Sequence, residues 1–344
     1  MLFRYIIKGY IRYFALIFLA LVVFFVGLDY LQSFKSLPSA ANLQILYIIY
    51  KSFYAVDLLL PISLVFASIA TNIYLVRRNE LVAFYSVGYS KREIIKPMFL
   101  ASGTIIALYA LLHATPFAYA NENAESIRKH KVLASATNDL FVKYYDKYIY
   151  FEKLYPFLKK AENVRVFRIE GDSLKELVRA DEAHFMEKGW RMSGAEVVIP
   201  LQEAIEVKKD ADITILQGFK PKILDSVYEG KSSFSIIDAV YAIALLKDQN
   251  VNTEKIEAVL LAQLVYPLFA PLLGVILFAF LPTTQRGGAL SFYGFVSIVA
   301  ALALWGILFT LLRLSYSGVL SPKISIVAPV LLLSAAAALF YRRF

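Results

Sequence analysis

The stretch from Arg77 to Pro97 carries the most patterned set of polar residues in this chain of 344 residues. One acid and three small or apolar residues recur there at i, i+3, i+4 and i+7 and so share one helical face: Glu80, Ala83, Phe84 and Val87. An acid framed by apolar side chains can form a charged hydrogen bond with a basic residue of another protein, which contributes about 1.5–3 kcal/mol. The pattern predicts a docking helix, and the alternative is an ordinary charged loop.

Both ends of this short helix, predicted at 79–88, are marked in the sequence. Asn79 is predicted to cap the first turn through its side chain, and the acid that follows it lies where the helix dipole favours negative charge. Gly88 is predicted to end the helix, because glycine adopts the left-handed conformation without a steric penalty. Ser90 and Glu93 then form a predicted capping box that opens a second helix.

A Gly-Lys-Ser triplet at 230–232 resembles the end of a phosphate-binding loop. Such a loop requires glycine five residues before Gly230, and Asp225 stands there instead. Because an acid at that position would repel phosphate, we expect no nucleotide site and no cofactor in this chain.

The histidines give no catalytic pattern either. The chain has three, His113, His130 and His184, without an H-E-x-x-H motif, and it has no G-x-S-x-G motif. His113 lies inside an apolar segment, where an ionisable group is a candidate functional residue; the alternative is a hydrogen-bonded neutral histidine. We therefore predict no catalytic residue, no metal site and no enzymatic activity.

The composition is that of a membrane protein with an added polar part, with 59% hydrophobic and 18% charged residues. The absence of cysteine excludes disulfides and thiolate metal sites. The net charge is +9, but many cations flank apolar segments, so anionic lipid headgroups explain them better than nucleic acid does.

Six apolar segments are predicted to span a membrane: Phe14–Leu28, Leu58–Val76, Met98–Tyr119, Ala258–Leu281, Leu290–Leu312 and Ile324–Tyr341. The first could instead belong to a cleaved signal peptide, because Ser39-Ala40-Ala41 resembles a cleavage site. Few charges lie inside the spans, which disfavours an ion-coupled pump. Energy for any transport would then come from a partner, and the 79–88 helix is the predicted contact.

The cations of the short loops predict the orientation. Those on the side of the N-terminus are Arg4, Lys8, Arg12, Arg77, Arg78, Lys91, Arg92, Lys96, Arg286, Arg342 and Arg343, and those on the other side are Lys35, Lys51, Arg313 and Lys323. By the positive-inside rule, both termini and the 79–88 helix are predicted in the cytoplasm and 119–257 outside it.

The region outside the membrane is predicted to be rich in β-strands. Candidate strands separated by turn signals lie in Phe141–Phe151, Val164–Ile169, Ala183–Met192 (with a turn at Lys188-Gly189) and Ile213–Leu216. Such spacing predicts an antiparallel sandwich or roll. Ser232–Lys247 changes to a helical period. The predicted layout is helices at 1–119, a β domain at 120–231, a connecting helix at 232–257 and helices at 258–344.

Two lysines are candidates for binding lipid phosphate. Lys35 and Lys51 lie with Asp29 and Asp57 in and around the short loop that joins spans one and two. Ammonium groups at a membrane boundary can hold phosphate as point charges. The alternative for both lysines is snorkelling to ordinary headgroups.

These features resemble the LptF/LptG permeases of lipopolysaccharide export. The most specific match is the loop R-R-N-E-L-V-A-F-Y-S-V-G-Y-S at 77–90, and the layout of three spans, a β domain and three spans also matches. Further matches are Tyr148-Ile-Tyr-Phe-Glu152, Ala183-His-Phe, Gly189-Trp-Arg-Met192 and the helix Phe234–Leu246. The strands and this helix are more similar to LptG than to LptF.

The resemblance implies an α-helical membrane protein of the bacterial inner membrane with six transmembrane helices and a periplasmic jellyroll-like β domain. It further implies a heterodimer with an LptF-like sister permease, in which span one of each chain meets span five of the other. An LptB ATPase dimer would bind the ATP, and LptC would receive lipopolysaccharide from the β domain. The alternatives are LptF itself, an ABC permease for another lipid, or a scaffold that does not transport; a membrane enzyme comes last.

The resemblance also implies roles for individual residues. Glu80, Phe84, Val87 and Gly88 would couple the chain to the ATPase. Lys35 occupies roughly the place of a family lysine that meets lipid A phosphates. An earlier basic position of the family falls on Asp29 or Tyr30 here, so the phosphate contacts differ in detail.

Overall fold

A computed structural model describes residues 2–129, 137–156, 158–170, 173–186, 189–200, 205–221, 224, 233–247, 251–284 and 289–344. His130, Lys188, Asp225, Arg286 and the triplet at 230–232 lie outside these residues. The chain divides into two units: a helical unit of Met1–Ala124 and Glu257–Phe344, and a β-rich unit of Glu125–Ile256.

The helices are, in chain order, α1 (Leu2–Ser33), α2 (Ala41–Arg77), α3 (Glu80–Ser86), α4 (Lys91–His113), α5 (Ala120–Arg128), α6 (Ile236–Lys247), α7 (Glu254–Leu264), α8 (Phe269–Ala279), α9 (Ala289–Tyr316) and α10 (Ala328–Arg343). Within the described residues, six segments are long and apolar enough to cross a membrane: Leu2–Ser36, Ala41–Arg77, Lys91–His113, Glu254–Ala279, Ala289–Tyr316 and Lys323–Arg343. The prediction of six apolar spans is confirmed.

The helices extend beyond the apolar cores that hydropathy marks. α1 begins twelve residues before the predicted Phe14, because its first turns pack into the helical core: Ile6 and Tyr10 are each only 1% exposed. The Tyr10 hydroxyl donates a 3.1 Å hydrogen bond to the carbonyl of Leu64 on α2. α2 continues through Pro61 without a break. The fourth span is interrupted between α7 and α8 by a 3-10 turn at Tyr266–Leu268 that contains Pro267, which has no N–H for a helical bond.

The spans differ in how much of their surface the helical unit itself covers. α2 packs against α1, α8 and α9, and α4 and α10 both pack against α8. In contrast, α1 and α9 leave broad apolar faces exposed, including Leu16, Leu19, Val23 and Phe24 on α1 and Phe292, Phe295, Val299 and Ile307 on α9. Lipid or another apolar helix must cover these faces in a membrane.

The β-rich unit contains one antiparallel sheet whose strands follow chain order: β1 (Thr137–Tyr144), β2 (Lys147–Tyr155), β3 (Lys160–Glu170), β4 (Ser173–Met186), β5 (Gly189–Pro200) and β6 (Ile205–Ile215). Directly paired residues share a face, and on β2 and β3 the pairs Ile149–Val166 and Phe151–Val164 are buried. The prediction of an inserted antiparallel β region is therefore confirmed.

The individual strand predictions need two refinements. Phe141–Phe151 is a hairpin, because β1 ends at Tyr144 and β2 begins at Lys147. Residues 120–128 form α5, whereas the sequence predicts them to be part of the β domain. The helical period found in Ser232–Lys247 corresponds to α6.

Candidate docking helix and lysine sites

The loop between α2 and α4 contains α3, which begins at Glu80 as predicted, but its first turn is not capped as predicted. Asn79 has a φ of 56°, in the left-handed region that asparagine tolerates, and its side chain makes no capping hydrogen bond. Its backbone carbonyl instead accepts a 3.1 Å hydrogen bond from the Ala83 N–H. The predicted side-chain cap is therefore wrong, because Asn79 is needed to turn the chain sharply out of α2.

The Glu80 carboxylate is held by α1. The Tyr5 hydroxyl lies 2.8 Å from both Oε1 and Oε2 and donates its single proton to them. A carboxylate has about four lone-pair sites, so most of its acceptor capacity stays open to another donor. Phe84, one turn later, meets the Tyr5 ring edge-on with centroids 6.3 Å apart. Tyr5 thus orients both predicted docking residues.

The predicted docking face divides into two parts. Leu81 is fully buried and anchors α3 in the helical core. Glu80 and Phe84 turn towards Tyr5, whereas Ala83 and Val87 are exposed, Val87 by 76%. An acid with open acceptor sites therefore begins this short helix, and an exposed apolar side chain follows directly after its last residue.

The far end of α3 follows the sequence prediction. Gly88 has a φ of 97°, a conformation that favours glycine, and the Tyr89 N–H donates to the Phe84 carbonyl across the turn. The capping box is formed: the Ser90 side chain accepts from the Glu93 N–H, and the Ser90 N–H donates a 2.8 Å hydrogen bond to Glu93 Oε2. α3 is thereby connected to α4 through a short, defined turn.

One cation next to α3 is already engaged. The Arg78 guanidinium donates a 2.9 Å hydrogen bond to the Tyr74 hydroxyl, which raises the pKa of Arg78 above its usual value. Arg78 also lies over the Tyr74 ring, 5.4 Å from its centroid. These contacts with Tyr74 hold the Arg78 side chain alongside α2.

The two predicted phosphate ligands have different surroundings. Lys51 is only 5% exposed, and its ammonium group lies 3.4 Å from Asp29 Oδ1 and 3.4 Å from Asn121 Oδ1. The ring of Tyr54 faces the same ammonium group at 5.3 Å. Lys35 is exposed on the 3-10 turn that follows α1. Within the described part of the chain it has no ion-pair partner, so it is the more accessible of the two lysines.

The histidines inside the described residues contact acids. His113 is buried, with Nε2 3.1 Å from Asp57 Oδ1 and its ring against Tyr109, whose hydroxyl donates to the same Asp57 oxygen at 2.5 Å. His184 is half exposed on β4 with Nε2 3.4 Å from Glu182. A hydrogen bond from Lys160 lowers the pKa of Glu182. Neither histidine belongs to a metal-binding cluster of His, Cys, Asp or Glu within the described residues.

Six apolar helices with an inserted antiparallel sheet define a multi-pass membrane protein whose second and third spans are joined by a short helix. The family model for the lipopolysaccharide export system permease LptF/LptG matches residues 4–343. The chain therefore belongs to the LptF/LptG family of permeases, which form part of a transport system. No curated protein matches the chain.

Proposed function

We propose that this chain is the LptG-like permease subunit of an ATP-driven exporter that extracts lipopolysaccharide from the inner membrane and passes it through its β-rich unit to LptC. The family match supports the permease role. The observation that carries the coupling role is the Glu80 carboxylate, which Tyr5 orients on an exposed helix between two spans. The chain itself binds no ATP in this proposal, and an LptB-like ATPase dimer hydrolyses it.

The contacts of α3 provide a path by which an ATPase could move the spans. A basic residue of the ATPase pairs with the open lone pairs of Glu80, and Val87 and Ala83 become buried beside it. Displacement of α3 then reaches α1 through the Tyr5 hydroxyl and ring, and it reaches α4 through the turn at Gly88. One docking event would thus act on spans one and three together.

The proposed orientation places α3 and both termini in the cytoplasm and the β-rich unit in the periplasm. The positive-inside rule supports this orientation, because the short segments on the side of the N-terminus hold most of the loop cations, among them Lys8, Arg77, Arg92 and Arg343. An LptF-like sister permease would cover the exposed apolar faces of α1 and α9. In this proposal, α1 of each permease packs against α9 of the other, and the two contacts enclose a cavity for the lipid.

Within that cavity we assign first contact with lipid A phosphate to Lys35. Its ammonium group is exposed on the turn after α1. Lys51 would meet phosphate only by exchanging its contact with Asp29, so it is the second candidate. Snorkelling to ordinary headgroups is the competing role for both lysines.

Lys35→Asp is expected to lower photo-crosslinking of lipopolysaccharide at the cavity at least about fivefold, because one basic group near anionic lipid contributes about 1 kcal/mol. The measurement uses a photoreactive residue on α1 in the assembled complex. Lys323→Asp is the matched control, since Lys323 is also exposed and lies on the same proposed side of the membrane. Equal crosslinking in both variants would make Lys35 a headgroup anchor.

The proposed function as a whole is tested by co-purification. The tagged chain is purified from the membrane of its host, and the proteins that remain bound are identified by mass spectrometry. An ATPase together with a second LptF/LptG-family permease supports the exporter. Recovery of periplasmic proteins without an ATPase would instead indicate a scaffold that only docks partners.

A further inference from the structure

A groove lies between α4, α8 and α10, and its lining contains none of the predicted docking residues or phosphate-binding lysines. Its volume is about 410 Å³, within the ~300–1,000 Å³ range of small-molecule sites. The lining is almost entirely apolar and includes Phe99, Leu272 and Val275. Lys96 and Tyr341 lie at one end.

Small side chains on α10 create this space. Ser334, Ala337 and Ala338 recur at i, i+3 and i+4 with Tyr341 at i+7, so one face of α10 is recessed along its length. From Ser334 to Tyr341 the recess runs ~10 Å at ~1.5 Å per residue. A narrow apolar channel of this kind fits an acyl chain that lies along the helix.

The end of the groove near Lys96 is cationic. Lys96 is exposed and has no ion-pair partner within the described part of the chain, and Arg342 and Arg343 follow Tyr341 directly. Arg92 already donates to the carbonyls of Tyr341 and Arg342, at 3.1 and 2.7 Å, which fixes the end of α10 beside the start of α4. These cations and the apolar channel are adjacent.

Glu93 is the acid nearest to Lys96 along the chain, and it does not pair with Lys96. Glu93 is engaged in the capping box with Ser90, where its carboxylate accepts from the Ser90 N–H and hydroxyl. Lys96 therefore keeps its charge available at the mouth of an apolar groove. The arrangement is complementary to an acyl chain that carries an anionic headgroup.

We propose that this groove binds an anionic glycerophospholipid from the leaflet on the side of α3, with an acyl chain along α10 and the headgroup phosphate at Lys96. The site lies outside the assigned path of lipopolysaccharide and does not depend on the coupling role of Glu80. A bound lipid would contact α4, α8 and α10 together and so fix spans three, four and six next to the docking helix.

The purified, delipidated full-length chain is equilibrated with phosphatidylglycerol or with phosphatidylcholine of the same acyl chains, and bound lipid is counted by native mass spectrometry. We expect one tightly retained phosphatidylglycerol, bound about fivefold more strongly than phosphatidylcholine. Both lipids present a phosphate to Lys96, but the choline cation of phosphatidylcholine is repelled by Lys96 and cancels the net negative charge that Lys96 attracts. Equal binding of the two lipids by the wild-type chain would overturn the proposal.

Two variants test the two halves of the site. Ala338→Leu fills the groove and is expected to abolish this retention, whereas Ala335→Leu, at an exposed position of α10 outside the lining, is expected to preserve it. Lys96→Gln is expected to make the two lipids bind equally, and Lys8→Gln on α1 is the matched control. Identical loss in Ala338→Leu and Ala335→Leu, or displacement of phosphatidylglycerol by an equimolar amount of lipopolysaccharide, would refute a dedicated phospholipid site.

Discussion

Glu80→Ala is expected to weaken binding of the proposed ATPase partner by about 10- to 100-fold, the equivalent of one partly desolvated charged hydrogen bond of ~1.5–3 kcal/mol. The alanine removes the carboxylate and leaves the backbone of α3 unchanged, because Leu81 still anchors the helix. The affinity is measured by titrating the ATPase onto the permease complex in lipid nanodiscs. Lipopolysaccharide release driven by ATP is expected to fall in parallel.

Two further variants separate charge from local folding. Glu80→Gln keeps the shape of the side chain and its capacity to accept from Tyr5, so a similar loss of affinity would identify the charge as the determinant. Glu93→Gln removes an acid from the same loop while its side-chain oxygen can still accept from Ser90. It is expected to bind the ATPase normally. Unchanged association in Glu80→Ala would remove the coupling assignment.

The docking segment shows which features the sequence could predict. Gly88 and the capping box of Ser90 and Glu93 depend on neighbouring residues alone, and both are formed as predicted. Asn79 also suits a capping position, but the chain must reverse direction between α2 and α3 and uses Asn79 in the left-handed conformation. Tyr5 precedes Glu80 by 75 residues, so no local pattern indicated their contact.

The lysines of the membrane-spanning part also have contacts that no local sequence pattern could indicate. Hydropathy identified the spans, because each needs a long apolar segment whatever its partners are. It could not predict that Lys51 is buried against Asp29, since that pairing depends on how α1 and α2 are rotated about their axes. Packing also decides where helices begin, as the buried first turns of α1 show.

In the β-rich unit, alternation and turn residues marked a part of each strand, but neither the full extent of β4, β5 and β6 nor the pairing partners. The aromatic run around Phe141–Phe151 reads as one strand because Tyr145 and Asp146, which form its turn, interrupt the pattern only briefly. Tyr145 has a φ of 52°, a conformation that a tyrosine adopts only when the surrounding hairpin requires it. The pairing of β1 with β2 imposes this conformation, and no local pattern around Tyr145 indicates it.

Trp190→Ala is expected to destabilise the β-rich unit by about 3–5 kcal/mol, the usual cost of deleting a large buried aromatic side chain. Trp190 is fully buried on β5, between the rings of Phe151 and Phe185 at 5.6 and 5.8 Å. Its indole N–H donates a 2.9 Å hydrogen bond to the Phe219 carbonyl, so the alanine also leaves a buried acceptor unpaired. Hydrogen exchange of strand peptides from the full chain is expected to accelerate roughly a hundred- to several-thousandfold.

Trp190→Phe separates the two contributions, because it keeps most of the apolar volume and removes only the N–H donor; we expect a loss of about 1–2 kcal/mol. Phe141→Ala is the exposed control, since Phe141 stacks on Tyr148 at 5.8 Å but is 53% exposed, and its expected effect is below about 1 kcal/mol. If all three variants exchanged alike, Trp190 would not hold the sheet together. If Trp190→Ala accelerated exchange most and Trp190→Phe less while ATPase binding stayed normal in both, the β-rich unit would fold independently of the coupling helix.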